Sequence, residues 1–418
     1  MEKLKFLTKK QIETIQKKYQ LPVYVYSEKI LRKKARACLH FPNAYWLTVR
    51  YAMKANSNLN ILKIFDQEGL HIDASSSFEA HRAIQAARIR ASKIQLTTQE
   101  FRYDLWALIK LWIQYNATSL YQLEEYGKKY PNSCVSIRIN PGTWSGFNKR
   151  NSTGWISSSF GIWHGYIDKI KKIVKRYNLT IDKLHIHIGS WSDPKVWERI
   201  AQHSLSLVEE FKDVKILNLG WWFKVARMQN EKATNLQELG RKAKKTFENF
   251  FKKTGRKLHL EIEPWSYLVA NAGAMVGRIE DIVDTGNGWY QFIKSDIGMP
   301  DILRPTMYGA QHPIIILGKW KKSQKYVVVW PCCESWDILT PSVGNSEEIC
   351  PRLLHKAQIG DIMVVEWTGA YCASMSARNY NSYPMITELL VRENGTIIPI
   401  RKAEKINDMW KHEISQIK

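Results

Sequence analysis

Eight short apolar runs, separated by charged stretches of helical periodicity, occupy about the first two thirds of this 418-residue chain. They read LTVRYAM (47–53), LHIDA (70–74), KIQLT (93–97), WIQYNA (112–117), CVSIRIN (134–140), LHIHIG (184–189), KILNLG (215–220) and LHLEIE (258–263). Runs of this length suit strands rather than buried helices. A helix between successive strands returns the chain so that neighbouring strands lie parallel. Eight such units close into a (β/α)8 barrel, an α/β fold of the TIM type, whose reactive groups sit at the carboxyl ends of the strands. The residues at or just past those ends are Lys54, Asp73, Arg138, His187, Gly220 and Glu263.

From about residue 286 the pattern changes. YQFIKSD, PIIIL, KYVVVW, DIMVVEW and TIIPI follow one another without helices between them, which predicts a C-terminal β-sandwich or β-barrel domain. PVYVYS (22–27) alternates like a strand ahead of the barrel and is expected to join that domain. The division expected is a barrel over 28–285 and a β domain built from 1–27 and 286–418.

A net charge of +23 raises the question of an anionic partner, and KIKKIVKR (169–176) and RKAKK (241–245) carry much of it. Both interleave lysine with apolar residues at helical spacing, as the wet face of an amphipathic helix does. No helix-turn-helix, zinc finger or stacking motif accompanies them, so no nucleic-acid partner is expected. No apolar run approaches the ~20 residues of a membrane helix, so no membrane partner is expected either. The opening MEKLKFLTKKQIETIQKKY reads as an amphipathic helix, not a secretory signal. Six cysteines without a CxxC pair argue for reduced thiols, no metal site and a cytoplasmic location.

Lys54 lies in YAMKANSN (51–58), where an amine is held at the point a buried strand stops. Taken alone, such a lysine simply reaches water. It is followed, however, by HIHIGS (185–190), EIEP (261–264), PCCES (331–335) and TGAY (368–371). In that order these motifs resemble the pyridoxal-phosphate decarboxylases of the alanine-racemase-like fold, and among them the diaminopimelate decarboxylases. The likeness runs from PVYVYS to SMSARNYNSYP (374–384).

The resemblance implies pyridoxal 5'-phosphate as cofactor and meso-diaminopimelate as substrate, decarboxylated to L-lysine and carbon dioxide. Lys54 resembles the Schiff-base lysine, and Glu263 the carboxylate that keeps the pyridine nitrogen protonated. His187 resembles the histidine stacked on the cofactor ring, with Ser190 at the phosphate and Asp73 and Arg138 flanking. Gly220, with positions 221 and 222, corresponds to the phosphate-binding turn. Cys333 and Glu334 resemble a loop that crosses a homodimer interface, the cysteine giving a proton to the substrate carbon and the glutamate meeting the distal amine. Arg304 and Tyr308 in LRPTMYGA resemble a clamp on the distal carboxylate, and Tyr371 a tyrosine near phosphate and substrate. Where many members carry an arginine after EPG, this chain has Ser266, which would leave Arg304 to hold the carboxylate alone. Decarboxylation of another basic amino acid, such as ornithine, arginine or carboxynorspermidine, is the alternative activity.

Tryptophan stands at many of the family's glycine positions: Trp46, Trp144, Trp155, Trp191, Trp221, Trp222, Trp265, Trp330, Trp336 and Trp367. Trp163 and Trp197 look like ordinary members of the pattern. A phosphate-binding turn works because glycine lets backbone amides approach closely and adopt positive φ. Indoles at 221, 222 and 265 would crowd it. Either these are UGA codons, which some bacterial lineages read as glycine, or the tryptophans are real and the chain is a non-catalytic relative.

Overall fold

The structure, a computed structural model, describes residues 2–142, 156–187, 194–220, 223–287, 289–329 and 331–416. Ser190, Trp144, Trp155, Trp191, Trp221, Trp222 and Trp330 lie outside the described residues.

Two compact units emerge. The first strand, β1 (Val23–Ser27), belongs to the second of them. The barrel unit comprises residues 32–225 and 232–268. It contains β2 (Trp46–Ala52), β3 (His71–Ala74), β4 (Ile94–Leu96), β5 (Gln114–Ala117), β6 (Cys134–Asn140), β7 (Thr180–Ile186), β8 (Ile216–Asn218) and β9 (His259–Ile262). Each corresponds to one of the eight apolar runs. Every adjacent pair is parallel, and the cylinder closes through β9 onto β2, with Leu260 opposite Leu47. The expected barrel is therefore formed.

Its interior holds charge as well as apolar side chains. Arg50 grips Glu261 through two nitrogens, at 2.9 and 2.7 Å, and Lys183 reaches the same carboxylate. All three are almost fully buried. The two cations hold the Glu261 carboxyl far below its ordinary range despite its burial. Removing one partner of such a buried set leaves an uncompensated charge, at a cost of roughly 3–5 kcal/mol.

The lysine-rich segments are helix faces, as their periodicity predicts. KIKKIVKR lies on the helix Ile167–Tyr177, which buries Ile170 and Ile173 and leaves its lysines outward. RKAKK lies on Leu236–Thr254, which buries Leu239, Ala243, Phe247 and Phe250. Asn235 caps that helix by accepting from the amides of Gln237 and Glu238, and Gly255 ends it with φ +71°.

The second unit comprises residues 1–31, 226–231 and 269–418. Its mixed sheet contains β1, β10 (Gly273–Asp284), β11 (Gln291–Ser295), β12 (Ile314–Leu317), β13 (Ser323–Val329), β14 (Arg352–His355), β15 (Ile362–Glu366), β16 (Thr387–Val391) and β17 (Ile397–Arg401). β1 pairs antiparallel with β10 and parallel with β16, so PVYVYS does join this domain. The helix Lys9–Lys18 starts in a capping box between Thr8 and Gln11. Its Ile12 and Ile15 join Val23, Val25, Val276 and Val364 in one apolar cluster.

The unit boundary differs from the expected 285/286. The long strand β10 lies beside β1, β11 and β15, which places it in the sheet and moves the boundary to 268/269. Helix–strand alternation could not reveal this, because two of the partners of β10, β1 and β15, come from distant sequence. No helix among the described residues is long and apolar enough to cross a membrane.

Candidate active site

Strand ends of the barrel bring together the residues expected there. Lys54 lies in the single turn Met53–Ala55 that follows β2, exposed between buried neighbours. Asp73 is buried in β3, where it accepts from Gln95 Nε2 and Thr97 Oγ1, both at 3.0 Å. Burial pushes its carboxyl up, opposed chiefly by the Lys54 charge.

Glu263, one residue past β9, is buried at 3 % exposure. Its Oε1 accepts from Asn218 Nδ2 at 2.6 Å and from Gln95 Nε2 at 3.1 Å. The Gln95 amide thus bridges Asp73 and Glu263. Burial, followed by the Asp73 charge, pushes the Glu263 carboxyl up to about 8. Two buried carboxylates joined by an amide have less positive charge around them than their ionisation requires.

Three further groups line the same mouth. Arg138 in β6 is buried, its guanidinium is 5.2 Å from the Phe160 ring, and among the described residues its Nε has no hydrogen-bond partner. Burial lowers its proton affinity, while Glu263 and Asp73 oppose that shift. His187 follows β7; burial and then the charges of Arg138 and Lys54 hold its imidazole well below its ordinary value, so the ring is neutral. Gly220, two residues past β8, has φ +65° and donates its N–H to Asn218 Oδ1 at 2.8 Å. A Cβ there would stand 2.3 Å from His187 Nδ1.

Sequence reasoning missed the amides of this network. Gln95, Asn218 and Asn116 carry no motif, yet they hold the carboxylates and place His185. Asn116 Nδ2 lies 2.7 Å from His185 Nδ1, and His185 Nε2 lies 3.7 Å from Glu263 Oε2. The only available signal was polar residues inside strands that should otherwise be apolar.

The β unit gathers the remaining candidates. Arg304 opens the short helix Arg304–Tyr308, and its Nη1 lies 3.0 Å from His312 Nε2. His312 Nδ1 is 3.1 Å from the Glu366 carbonyl oxygen, an arrangement satisfied when the ring carries its proton on Nδ1 and accepts from Arg304. Thr306 Oγ1 donates to the Trp336 carbonyl at 3.0 Å, tying this helix to the PCCES loop. In that loop Cys333 is exposed, its N–H donating to Asn381 Oδ1 at 2.9 Å. Glu334 accepts from Tyr380 Oη at 3.3 Å. Tyr308 is partly exposed beside Met375, and Tyr371 adopts φ +55°.

Arg304 is not the only guanidinium there. Burial, and next the charge of Arg304, push Arg227 down to about 9, and its buried Nε has no hydrogen-bond partner among the described residues. Arg227 is thus a second guanidinium near enough to feel the charge of Arg304. A single arginine in VARMQNE gave no motif to find it by.

The donor set suits a pyridoxal cofactor. A pyridinium would supply the positive charge that Glu263 and Asp73 lack, Arg138 Nε has a hydrogen bond to give, and the Gly220 turn admits no side chain. Trp265 does not suit it. Its indole, 6 % exposed, stands edge to face with His187 at 4.8 Å between centroids, and Lys54 Nζ is 5.5 Å from its ring centre. An aromatic ring is therefore already in contact with both the lysine and the histidine assigned to the cofactor.

Comparison with known proteins agrees with the donor set. Residues 27–270 match the pyridoxal-binding domain of the pyridoxal-dependent decarboxylases. A diaminopimelate decarboxylase from Buchnera aphidicola subsp. Schizaphis graminum is 33% identical over 410 residues, covering 95% of each chain. The diaminopimelate decarboxylase of Escherichia coli K12 is 30% identical over 98% of this chain and 97% of its own. A crystal structure of diaminopimelate decarboxylase superimposes with a TM-score of 0.89 at 29% identity, covering 98% of this chain and 97% of the other. The Helicobacter pylori diaminopimelate decarboxylase complexed with L-lysine gives 0.84 at 25% identity, with coverage of 96% and 98%. On the closed barrel, its bracketed carboxylates and these near full-length matches, the chain belongs to the pyridoxal-dependent decarboxylases and, within them, to the diaminopimelate decarboxylases.

Proposed function

We propose that this protein removes carbon dioxide from the D-configured end of meso-diaminopimelate and releases L-lysine, the last step of lysine biosynthesis. The observation that carries the reading is Glu263: buried, held by Asn218 and Gln95, and set in one barrel mouth with Lys54. Pyridoxal phosphate, when bound, supplies the electron sink that decarboxylation needs.

The protein's own residues supply the rest. Lys54 presents the amine that holds the cofactor. Glu263, as a carboxylate, would hold a protonated ring nitrogen, and Asn218 and Gln95 fix the orientation of that carboxylate. His187, neutral and braced by Gly220, forms a wall. Ser190, Tyr371 and the turn at 220–222 are assigned to the phosphate.

Arg304 and Tyr308 are assigned to the distal carboxylate of the substrate and Glu334 to its distal amine. Cys333, exposed on its loop, gives the proton that replaces the lost carboxylate. We assign Cys333 and Glu334 to the barrel of a second copy, so the working unit is a homodimer. Exposed thiols at Cys134, Cys333 and Cys350 suit a reducing cytoplasm.

Turnover of meso-diaminopimelate against ornithine, arginine and carboxynorspermidine, read as carbon dioxide and as the amine product, tests the assignment. Preference for ornithine would remove the role given to Glu334. Turnover of none by cofactor-loaded protein would remove the reading itself.

A further inference from the structure

We infer that positions 112, 265 and 367 are glycine in the protein as its own cells make it, the tryptophans being a literal reading of a reassigned codon. The argument at 265 rests on the function proposed above. Those at 112 and 367 rest on backbone geometry alone.

Trp112 has φ +71° and Trp367 φ +62°. A left-handed backbone is ordinary for glycine and tolerated by asparagine, which supplies five of the ten non-glycine positions of this kind among the described residues. For a bulky side chain it is an outlier. Trp112 stands just past the helix Leu105–Lys110 and its cap Leu111, donating its N–H to the Ile109 carbonyl at 2.9 Å. That is the place where glycine most often ends a helix. The Trp112 side chain meanwhile lies 81 % exposed, with little burial to offset the backbone strain.

Trp367 follows β15 and opens a turn in which backbone segments crowd together. Thr368 donates to the Gly273 carbonyl at 2.9 Å, and a Cβ at Gly369 would collide with the Val269 carbonyl oxygen. A turn that already requires glycine at 369 has a second glycine-like conformation two residues earlier.

Trp265 has a different conflict. It opens the short helix Trp265–Val269 two residues after Glu263, and its indole is in contact with both Lys54 and His187. The lysine and histidine assigned to the cofactor are both in contact with this indole, and Glu263, the carboxylate assigned to the ring nitrogen, is two residues away in the chain. A glycine at 265 removes that ring.

Composition points the same way. The chain has 22 glycines and 17 tryptophans in 418 residues, and its glycine content lies below the usual ~7%. One codon change accounts for a surplus of the largest residue and a shortage of the smallest. Independent decay would scatter many residue types across these positions, and it would not spare Lys54, Glu263, His187 and Cys333.

Peptide mass spectrometry of the protein purified from cells that carry its gene natively reads the three positions directly. Glycine at 112, 265 and 367, with tryptophan kept at 163, is the expected result. Tryptophan at any of the three overturns the inference, and tryptophan at 265 makes a non-catalytic relative the better description.

A second measurement needs no native source. Two chains, both carrying Trp221→Gly and Trp222→Gly and one of them also Trp265→Gly, are titrated with pyridoxal phosphate and followed by cofactor absorbance and thermal midpoint. Uptake at least tenfold tighter with Trp265→Gly is expected, and equal uptake by both overturns the argument at 265. The decarboxylase reading fails separately. Glycine at all three positions and tight cofactor uptake, but no carbon dioxide from any diamino acid, keeps this inference and removes the activity.

Discussion

The backbone of Gly220 lies so close to the His187 ring that a methyl group on its Cα would stand 2.3 Å from Nδ1. With φ at +65°, Gly220 combines a conformation that disfavours side chains with a contact that leaves no room for one. Gly220→Ala is expected to cost about 1–3 kcal/mol of stability, from overpacking added to backbone strain. Gly69→Ala is the control: φ is +93° there, but nothing lies within 4 Å of the added atom. Urea denaturation of both variants separates crowding from strain, and equal losses would show that the His187 contact contributes nothing.

Glu263 makes the stability of the cofactor-free protein depend on pH in a direction opposite to most carboxylates. Its carboxyl is pushed from an ordinary value of 4.5 to about 8, so the folded chain holds a proton that the unfolded chain has released. The stability due to this group is fully present below about pH 4.5 and is lost as pH rises through 8. The loss across that window is at most on the order of 5 kcal/mol. Thermal midpoints from pH 5 to 8.5 should fall more steeply for the parent than for Glu263→Gln, whose amide does not titrate. Identical slopes would place the titrating group elsewhere. Loading with pyridoxal phosphate should flatten the parent's slope, because a cation beside Glu263 favours its charged form.

The barrel was legible because eight strands and their helices write their alternation locally, residue by residue. Strand β10 was not, since its neighbours β1 and β15 are far away in sequence. In the site, Lys54, Glu263 and His187 stood out because each follows an apolar run and belongs to an ordered series of motifs. Gln95, Asn218 and Asn116 were illegible: an amide gains its role only when adjacent barrel strands bring it to a carboxylate or imidazole. Arg227 was hidden for a similar reason, its significance lying in an Nε without a hydrogen-bond partner among the described residues and in the charge effect of Arg304. The tryptophans were visible as an anomaly, but only the backbone angles at 112 and 367 gave that anomaly a physical content.

Lys54 separates chemistry from folding. It is exposed at the end of β2, and its nearest described ring contact is Trp265. Lys54→Ala should change stability by no more than about 0.5 kcal/mol, as is usual for exposed positions. In protein that takes up cofactor, the same substitution should lower carbon dioxide release by at least ~10³-fold, the scale on which removal of a covalent-catalysis residue acts. It should also abolish the absorbance that cofactor acquires when joined to a lysine. A variant that kept that absorbance would identify another lysine as the attachment point.

Cys333 tests the homodimer. Its loop is fixed by the Cys333 amide on Asn381 and by Tyr380 on Glu334, while the thiol itself is exposed. Cys333→Ala should therefore fold as the parent does. Its turnover should fall by about 10²–10⁴-fold, as loss of a proton donor does. If the thiol serves a second copy, a chain lacking Lys54 and a chain lacking Cys333 repair each other on mixing: a hybrid dimer has one barrel with both groups intact. Random reassortment of the two inactive proteins should recover roughly a quarter of parental activity, since half the dimers are hybrids and each has one complete site. If each chain uses its own thiol, every site in the mixture lacks one group and activity stays at the level of the single variants. Recovery on mixing is thus the outcome that requires Cys333 to act across the dimer, and its absence alongside a confirmed hybrid dimer would place the thiol in its own chain's site.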